Sequence, residues 1–285
     1  MDLEKFFDTV CQSKLIQVLS ETVTDGRVVS LIHKYLNAGV MVGGAFEQTK
    51  VGMPQGGPLS PLLSNVMLNE LDKEIERRGH RFVRYADDCM IFSKSKRAAE
   101  RVCKSITSFI EEKLFLKVNR DKTCVARFSE VKYLGYAFYR KDGKCRLRVH
   151  PKSIKAMKER VRELTARSNA MSNDYRPQAI TWFVRGWVNY FKLADMRSLL
   201  CQVDKWMRRR IRMVYWKQWK RVRTRYKMLK KCGIERRKAW EFANTRKSYW
   251  RTAGSPIMSK AIRNEQLRRK GYLFFSDYYR QVCVS

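Results

Sequence analysis

The sequence predicts an α+β fold in two unlike parts, helices and hairpins over residues 1–150 and helices alone after that. Three observations lead there. Short alternating apolar runs bracket turn residues in the first part, as in Lys141-Asp142-Gly143-Lys144 between Tyr133–Tyr139 and Cys145–Val149. Apolar residues at helical spacing separate those runs. Beyond Pro151 the strand signals fade and three amphipathic repeats follow one another.

In chain order, Ser60-Pro61 predicts a helix N-cap followed by proline at the first helical position. Leu63, Val66, Met67, Leu71 and Ile75 carry that helix inward until Gly79 stops it. Ala98, Val102, Ile106 and Ile110 make a second stripe over Lys96–Lys113. Between the two helices, Tyr85-Ala86-Asp87-Asp88 lies between the apolar runs Phe82–Val83 and Met90–Phe92, which puts two carboxylates at a hairpin tip. Ile154, Met157, Val161 and Leu164 mark a third helix. Ile180, Phe183, Val184, Trp187 and Phe191 mark a fourth, and Leu199, Val203, Trp206, Met207 and Ile211 a fifth. These three suggest an antiparallel bundle over 151–230. Residues 231–285 read as a small basic domain with helices near Glu235–Arg246 and Ile257–Lys270. Most tryptophans of the bundle are expected in its core, and the exposed ones would be free to stack on bases.

Sixty-one Lys and Arg stand against 27 Asp and Glu, a formal net charge of +34. The excess is uneven: residues 1–150 hold 26 basic and 18 acidic side chains (+8), and 151–285 hold the other 35 and 9 (+26). Such a surplus, interleaved with aromatics, is the electrostatic footprint of a polyanion partner. No apolar run approaches the roughly 18 residues that would cross a bilayer, and no signal peptide opens the chain, so a cytoplasmic location is expected. Eight scattered cysteines without a C-x-x-C pair and three histidines exclude zinc-finger spacing. They are expected to be reduced and mostly buried.

Adjacent carboxylates repel and are costly unless cations neutralise them. Asp87-Asp88 is one such pair, and Asp2-Leu3-Glu4-Lys5-Phe6-Phe7-Asp8 is a second acidic cluster. Alone, the pair would be read as a solvated turn. It is flanked, however, by Gly52-Met53-Pro54-Gln55-Gly56-Gly57-Pro58-Leu59-Ser60-Pro61 before it, and by Asn119-Arg120-Asp121-Lys122-Thr123 and Tyr133-Leu134-Gly135-Tyr136 after it. In this order the motifs resemble those of the reverse transcriptase and maturase encoded by bacterial group II introns. The stretch Arg185-Gly186-Trp187-Val188-Asn189-Tyr190-Phe191 resembles the signature of that family's thumb, also called domain X.

The resemblance implies a right-hand polymerase palm over 1–150, an antiparallel sheet with packed helices. An all-α thumb over 151–230 and a basic DNA-binding segment over 231–285 would follow. It implies RNA-directed DNA synthesis at two Mg²⁺ ions, with a primer 3′-hydroxyl attacking an incoming deoxynucleotide. Asp2, Asp87 and Asp88 would be the catalytic carboxylates and metal ligands, joined by the Leu3 carbonyl. Asp8 is expected to make a structural hydrogen bond or a helix cap instead. Phe7 would exclude a 2′-hydroxyl by its bulk, or belong to the core with Phe6. Gln55 would contact the nucleotide sugar. Lys122 would meet the pyrophosphate, or remain a solvated surface charge. Tyr133, Leu134 and Gly135 would form a primer grip, or Tyr133 would be sheet core. Arg185, Lys205, Arg208, Arg209, Arg212, Lys217 and Lys220 would hold the duplex by its phosphates. The implied partners are intron RNA as template, DNA primer or target, RNA–DNA hybrid and dNTP, with no membrane and no zinc-dependent endonuclease segment.

Two other readings carry less of the sequence. A non-catalytic maturase has no use for clustered carboxylates beside phosphate, and the Arg185–Phe191 signature argues against reverse transcriptases of other bacterial classes. Only Met1 precedes the Asp2 motif, whereas the family carries a fingers region there. The expectation is therefore of the C-terminal portion of a longer protein, with a loosely held Asp2 and weak or absent polymerase activity.

Overall fold

A computed structural model describes residues 1–43, 45–47 and 51–283, with the side chains of 40–42 and 45–47 left undescribed. The chain forms two compact units, Met1–Ala126 and Arg127–Ser285. Both mix or favour helix, with small antiparallel sheets among the described residues.

The first unit begins with α1 (Phe6–Thr9), α2 (Gln12–Ser20) and α3 (Gly26–Asn37), followed by the hairpin β1 (Val40–Val42) and β2 (Ala45–Glu47). Then come α4 (Ser60–Arg77), β3 (Arg81–Tyr85), β4 (Asp88–Phe92) and α5 (Lys96–Lys113). Leu63, Met67, Leu71 and Ile75 of α4 bury their side chains with Ile106 and Ile110 of α5, Leu15, Leu36 and Cys89. Both helices are where the apolar spacing predicts them. The start of α4 differs in detail: Ser60 lies inside the helix, and its hydroxyl donates to the Pro54 carbonyl instead of capping. That bond folds the loop before α4 back on itself.

Residues 1–4 are laced on both sides. Met1 and Cys89 exchange both backbone hydrogen bonds, 2.5 and 3.1 Å. Leu3 bridges Val118, Glu4 donates to the Lys117 carbonyl and Asn119 donates to the Asp2 carbonyl. Asp2 is thus held by its neighbours on either side, contrary to the expectation of a loosely held residue.

The second unit contains a three-stranded sheet, β5 (Lys132–Tyr133), β6 (Tyr136–Lys141) and β7 (Lys144–Val149). Nine helices among the described residues follow: α6 (Pro151–Leu164), α7 (Tyr175–Phe191), α8 (Arg197–Gln218), α9 (Val222–Lys231), α10 (Arg236–Ala243), α11 (Tyr249–Ala253), α12 (Pro256–Ala261), α13 (Asn264–Arg269) and α14 (Phe275–Cys283). The predicted helix over 257–270 is broken at Ile262-Arg263, where the backbone turns extended. The helices α6, α11 and α14 pack against α8, α7 packs on α6 and α14, and Val203, Met207, Ile211 and Trp216 share one core with Ala239, Ala243, Met258, Leu267 and Phe275. Residues 231–283 therefore complete the core of the helical unit and have no separate one. The sheet joins this unit as well: the Asp195 amide donates to the Leu147 carbonyl, and Val149 lies in the same core.

Trp216 and Trp219 are buried, Trp187 and Trp206 half-buried, and Trp182 exposed. All eight cysteines are free. Cys89 is the one that is buried, while Cys124, Cys145, Cys201 and Cys283 are exposed, so burial of the thiols was overestimated. Cysteine is a small, adaptable side chain, and its position in sequence says little about its face.

Gly52 fixes the loop before α4. Its φ is +83°, and a Cβ there would lie 2.6 Å from the Phe7 carbonyl oxygen and 2.8 Å from that of Asp8. Gly79 also has a positive φ, +70°, but open space around it. Gly79→Ala should cost about 1–2 kcal/mol, the strain of the left-handed backbone alone. Gly52→Ala adds a backbone collision and should lower the melting temperature at least twice as far, read by thermal denaturation.

Candidate active site

The chain reverses between β3 and β4 at Ala86-Asp87, with Tyr85 paired to Asp88. Ala86 sits at φ +53°, a backbone conformation that costs a non-glycine residue about 1–2 kcal/mol. Arg84 supplies the compensation. Its guanidinium donates to both Asp72 carboxylate oxygens (2.8 Å to Oδ1 and 2.5 Å to Oδ2), to Asn65 Oδ1 (3.1 Å) and to the Ala86 carbonyl (3.0 Å). The turn carrying Asp87 is thereby pinned to α4. Neither Arg84 nor Asp72 stands out in the sequence; an arginine two residues before the tip, alternating inward with Phe82, was the available signal.

Residues that exchange both backbone bonds, as Met1 and Cys89 do, form an antiparallel close pair. Continuing that register by one residue sets Asp2 opposite Asp88 with both side chains on one face. Charge agrees with this placement. Burial, then the charges of Asp87 and Asp2, push the Asp88 carboxyl above its ordinary range, while Lys122 pulls it back. Asp2 Oδ2 is buried and accepts no hydrogen bond. Lys122 Nζ lies 3.1 Å from it as an ion pair, out of hydrogen-bond alignment. Lys122 is delivered by an Asx turn, in which Asn119 Oδ1 accepts from the amides of Asp121 and Lys122. Thr123 Oγ1 accepts from the Asp2 amide, a second contact without a signal in the sequence.

Leu3 is buried in the bridge to Val118. Phe6 is buried and Phe7 half-buried, their rings edge-on at 5.5 Å, so the adjacent pair divides between the core and a more open side. Asp8 accepts from Gln55 Nε2 at 2.8 Å, a structural hydrogen bond as expected. The Gly52 and Met53 amides donate to Val10 and Phe7, which aligns the loop bearing Gln55 along the segment bearing Phe7. Buried Gln12 adds a bond to the Gly52 carbonyl at 2.9 Å.

The first unit thus brings Asp2, Asp88, Asp87 and Lys122 within electrostatic reach of one another, and separately ties the loop bearing Gln55 to the segment bearing Phe7. Among the described residues, no three carboxylate, imidazole or thiol side chains already form a metal-holding cluster. The donor chemistry nevertheless suits a hard divalent cation: Asp88 feels the charge of two further carboxylates, and one of these, Asp2, has a buried oxygen lacking a hydrogen-bond donor.

In the second unit, Leu134 and Gly135 form the tight turn between β5 and β6, both at positive φ (+48° and +80°). The Leu134 carbonyl accepts from the Tyr190 hydroxyl, and Tyr136 in turn donates to the Tyr190 carbonyl. Tyr133 is half-buried beside this turn.

The basic residues divide by environment. Arg212 is buried, and its guanidinium donates to the Ile262 carbonyl and Asn264 Oδ1. It is a structural tie, which corrects the expectation that it holds phosphate. Arg209 donates to the Trp250 carbonyl and stacks on that ring at 4.0 Å, so its charge is largely engaged within the protein. Arg208 lies over Phe274 and Lys217 over Tyr249. Arg185, Lys205 and Lys220 are exposed. Arg208, Arg209 and Arg212 share a reason: they lie on faces of α8 covered by other segments, where a cation must find an internal acceptor or ring.

Residues 1–138 match the reverse transcriptase (RNA-dependent DNA polymerase) family, and residues 154–233 match the group II intron maturase-specific domain. The chain belongs to the reverse transcriptase and maturase family of group II introns. Its curated relatives agree. It is 29% identical to "Protein YkfC" of Escherichia coli (strain K12), over 49% of this chain and 46% of that protein. It is 28% identical to "Putative COX1/OXI3 intron 2 protein" of Saccharomyces cerevisiae, over 48% and 23%. It is 27% identical to "Group II intron-encoded protein LtrA" of Lactococcus lactis subsp. cremoris, over 47% and 33%. The matched region spans less than half the length of each of these relatives.

Arg84 should be the most sensitive position of the reverse transcriptase domain outside the carboxylates. Arg84→Met leaves the Asp72 carboxylate, mostly enclosed, without its cation, and should destabilise the protein by about 3 kcal/mol. Removing both charges in Arg84→Met with Asp72→Leu should recover most of that loss in denaturant unfolding.

Proposed function

We propose that the chain supplies the polymerase site and RNA-binding helices of a group II intron reverse transcriptase that also acts as maturase. The observation that supports this best is the convergence of Asp2 and Asp88, far apart in sequence, on one face of paired backbone beside the Asp87 turn. In this reading 1–150 is the palm, 151–230 the thumb and 231–285 a DNA-binding segment. Asp2, Asp87, Asp88 and the Leu3 carbonyl would hold two Mg²⁺ ions, which activate a primer 3′-hydroxyl and neutralise the triphosphate when bound.

The chain's own residues do the rest. Repulsion among the carboxylates leaves them poised for cations, and Lys122 takes the part of a cation beside Asp2. Near an incoming dNTP the same ammonium would pair with phosphate. Phe7 is the ring available to press on the sugar, and its bulk would exclude a 2′-hydroxyl. Gln55, steadied by Asp8, would contact that sugar. Tyr133, Leu134 and Gly135 would support the primer end at a turn whose left-handed backbone is held by Tyr190, His150 and Ser153. Arg185, Lys205, Lys220 and, more weakly, Arg208 and Lys217 would meet phosphates of intron RNA, DNA primer or RNA–DNA hybrid. No helix among the described residues is long and apolar enough to cross a membrane.

Primer extension on an RNA template tests the catalytic half of this reading. Asp2→Ala and Asp87→Ala should each lower dNTP incorporation by at least about 10³-fold while leaving RNA affinity within twofold, and ready extension by Asp87→Ala would overturn the assignment.

A salt series tests the binding half. With +26 of the +34 net charge beyond residue 150, affinity for structured RNA should fall about 10³-fold or more between 50 and 200 mM salt. A flat response in filter binding would contradict it.

A further inference from the structure

The helices α9 and α10 form a tight antiparallel pair, closed by Gly233 and buried Ile234. Ala239 and Ala243 of α10 are fully buried, and Phe242 packs on the same core. Small side chains there let α10 sit close to its neighbours. Trp240 is the exception, 59% exposed and outside the core cluster. A helix needing only to pack would gain nothing from a large ring left in water.

The surroundings of Trp240 form an open cleft of about 680 Å³ lined by Tyr226, Glu235, Arg236, Arg237 and Trp240. Tyr226 meets the indole edge-on, with centroids 5.9 Å apart and planes at 84°, an arrangement that leaves a broad aromatic face uncovered. Each ring has a cation one helical turn away on its own helix, Arg236 four residues before Trp240 and Lys230 four after Tyr226. Lys230 Nζ lies 5.9 Å from the Tyr226 centroid. Glu235 pairs with Lys238 and Glu241 with Arg237, whereas Arg236 makes no ion pair or hydrogen bond among the described residues. From Lys220 to Trp240 the sequence holds ten basic residues against one acidic. An open indole face within reach of guanidinium groups matches a flat π system carrying a phosphate.

We propose that this cleft is a stacking site for an unpaired nucleobase of a single strand, with Trp240 under the base and Arg236 on the adjoining phosphate. The inference rests on the nucleic-acid-binding reading and makes it specific, because a paired base inside a duplex cannot present its face to the indole. RNA and DNA bases offer the same face, so the chemistry alone does not choose between them.

The test compares the full chain with Trp240→Ala, Trp240→Phe and Arg236→Ala. Fluorescently labelled twelve-nucleotide single strands of RNA and DNA of one sequence, and a blunt duplex of that length, are titrated over a salt series. Trp240→Ala should weaken single-strand binding about tenfold, leave duplex binding within twofold and keep the salt slope. Trp240→Phe, which retains a ring, should recover much of the loss. Arg236→Ala should instead lower the slope by about one phosphate contact. The strand bound more tightly identifies the natural source of the base. Equal weakening of duplex and single strand by Trp240→Ala, or no weakening of either, would overturn the proposal while leaving nucleic-acid binding intact. Failure of the unaltered chain to bind any of the three would remove the underlying reading together with it.

Discussion

Asp88 feels the negative charge of both Asp87 and Asp2, and the backbone must hold Asp2 beside it against that repulsion. Here the work falls to residues 1–4. Met1 is bonded on both sides of its peptide to Cys89, and the next three residues are bonded to Lys117, Val118 and Asn119. Backbone bonds of this kind do not depend on side-chain charge, so they can set Asp2 opposite Asp88 despite the repulsion between carboxylates. Leu3 and Phe6, buried just after Asp2, anchor the same segment to the core.

The turn opposite carries its own strain. Ala86 occupies a left-handed backbone conformation, and the fork of Arg84 spans Asp72, Asn65 and the Ala86 carbonyl. A guanidinium is suited to this because its donors lie in one rigid plane, whereas an ammonium could satisfy these acceptors one at a time. The second unit shows a parallel device at Leu134-Gly135, where Tyr190 of α7 holds the strained carbonyl. In both units a side chain braced by or carried on a packed helix, Arg84 through Asp72 of α4 and Tyr190 of α7, holds a turn that the local backbone disfavours.

In a chain with a net charge of +34, charge is not one undifferentiated surface. Arg212 and Arg176 are buried and donate to carbonyl oxygens, and Arg209 and Arg225 lie over indole rings. These cations hold helices together by bonding to carbonyl ends and ring faces. What remains for a polyanion is a smaller set of exposed residues, with aromatic rings such as Trp240 and Trp182 among them.

Much of this was legible in the sequence. The stripes of α4 and α5, the Tyr85–Asp88 hairpin and the Asp142-Gly143 turn follow from periodicity and turn chemistry, which act over a few residues and need no distant partner. The ordered motifs pointed to the family for the same reason, since each is local. Three things were decided by tertiary structure. The break at Ile262-Arg263 and the merging of 231–283 into the helical core depend on what α8 presents to them. The fate of each arginine depends on which carbonyls and rings surround α8, and a run of basic residues has no period that reveals it. The pairing of Asp2 with Asp88, and the pinning of the turn by Arg84 and Asp72, join positions whose separation in sequence carries no mark of contact. A chain states its local preferences residue by residue, but long-range register and the destination of a charge exist only once the backbone has closed around them.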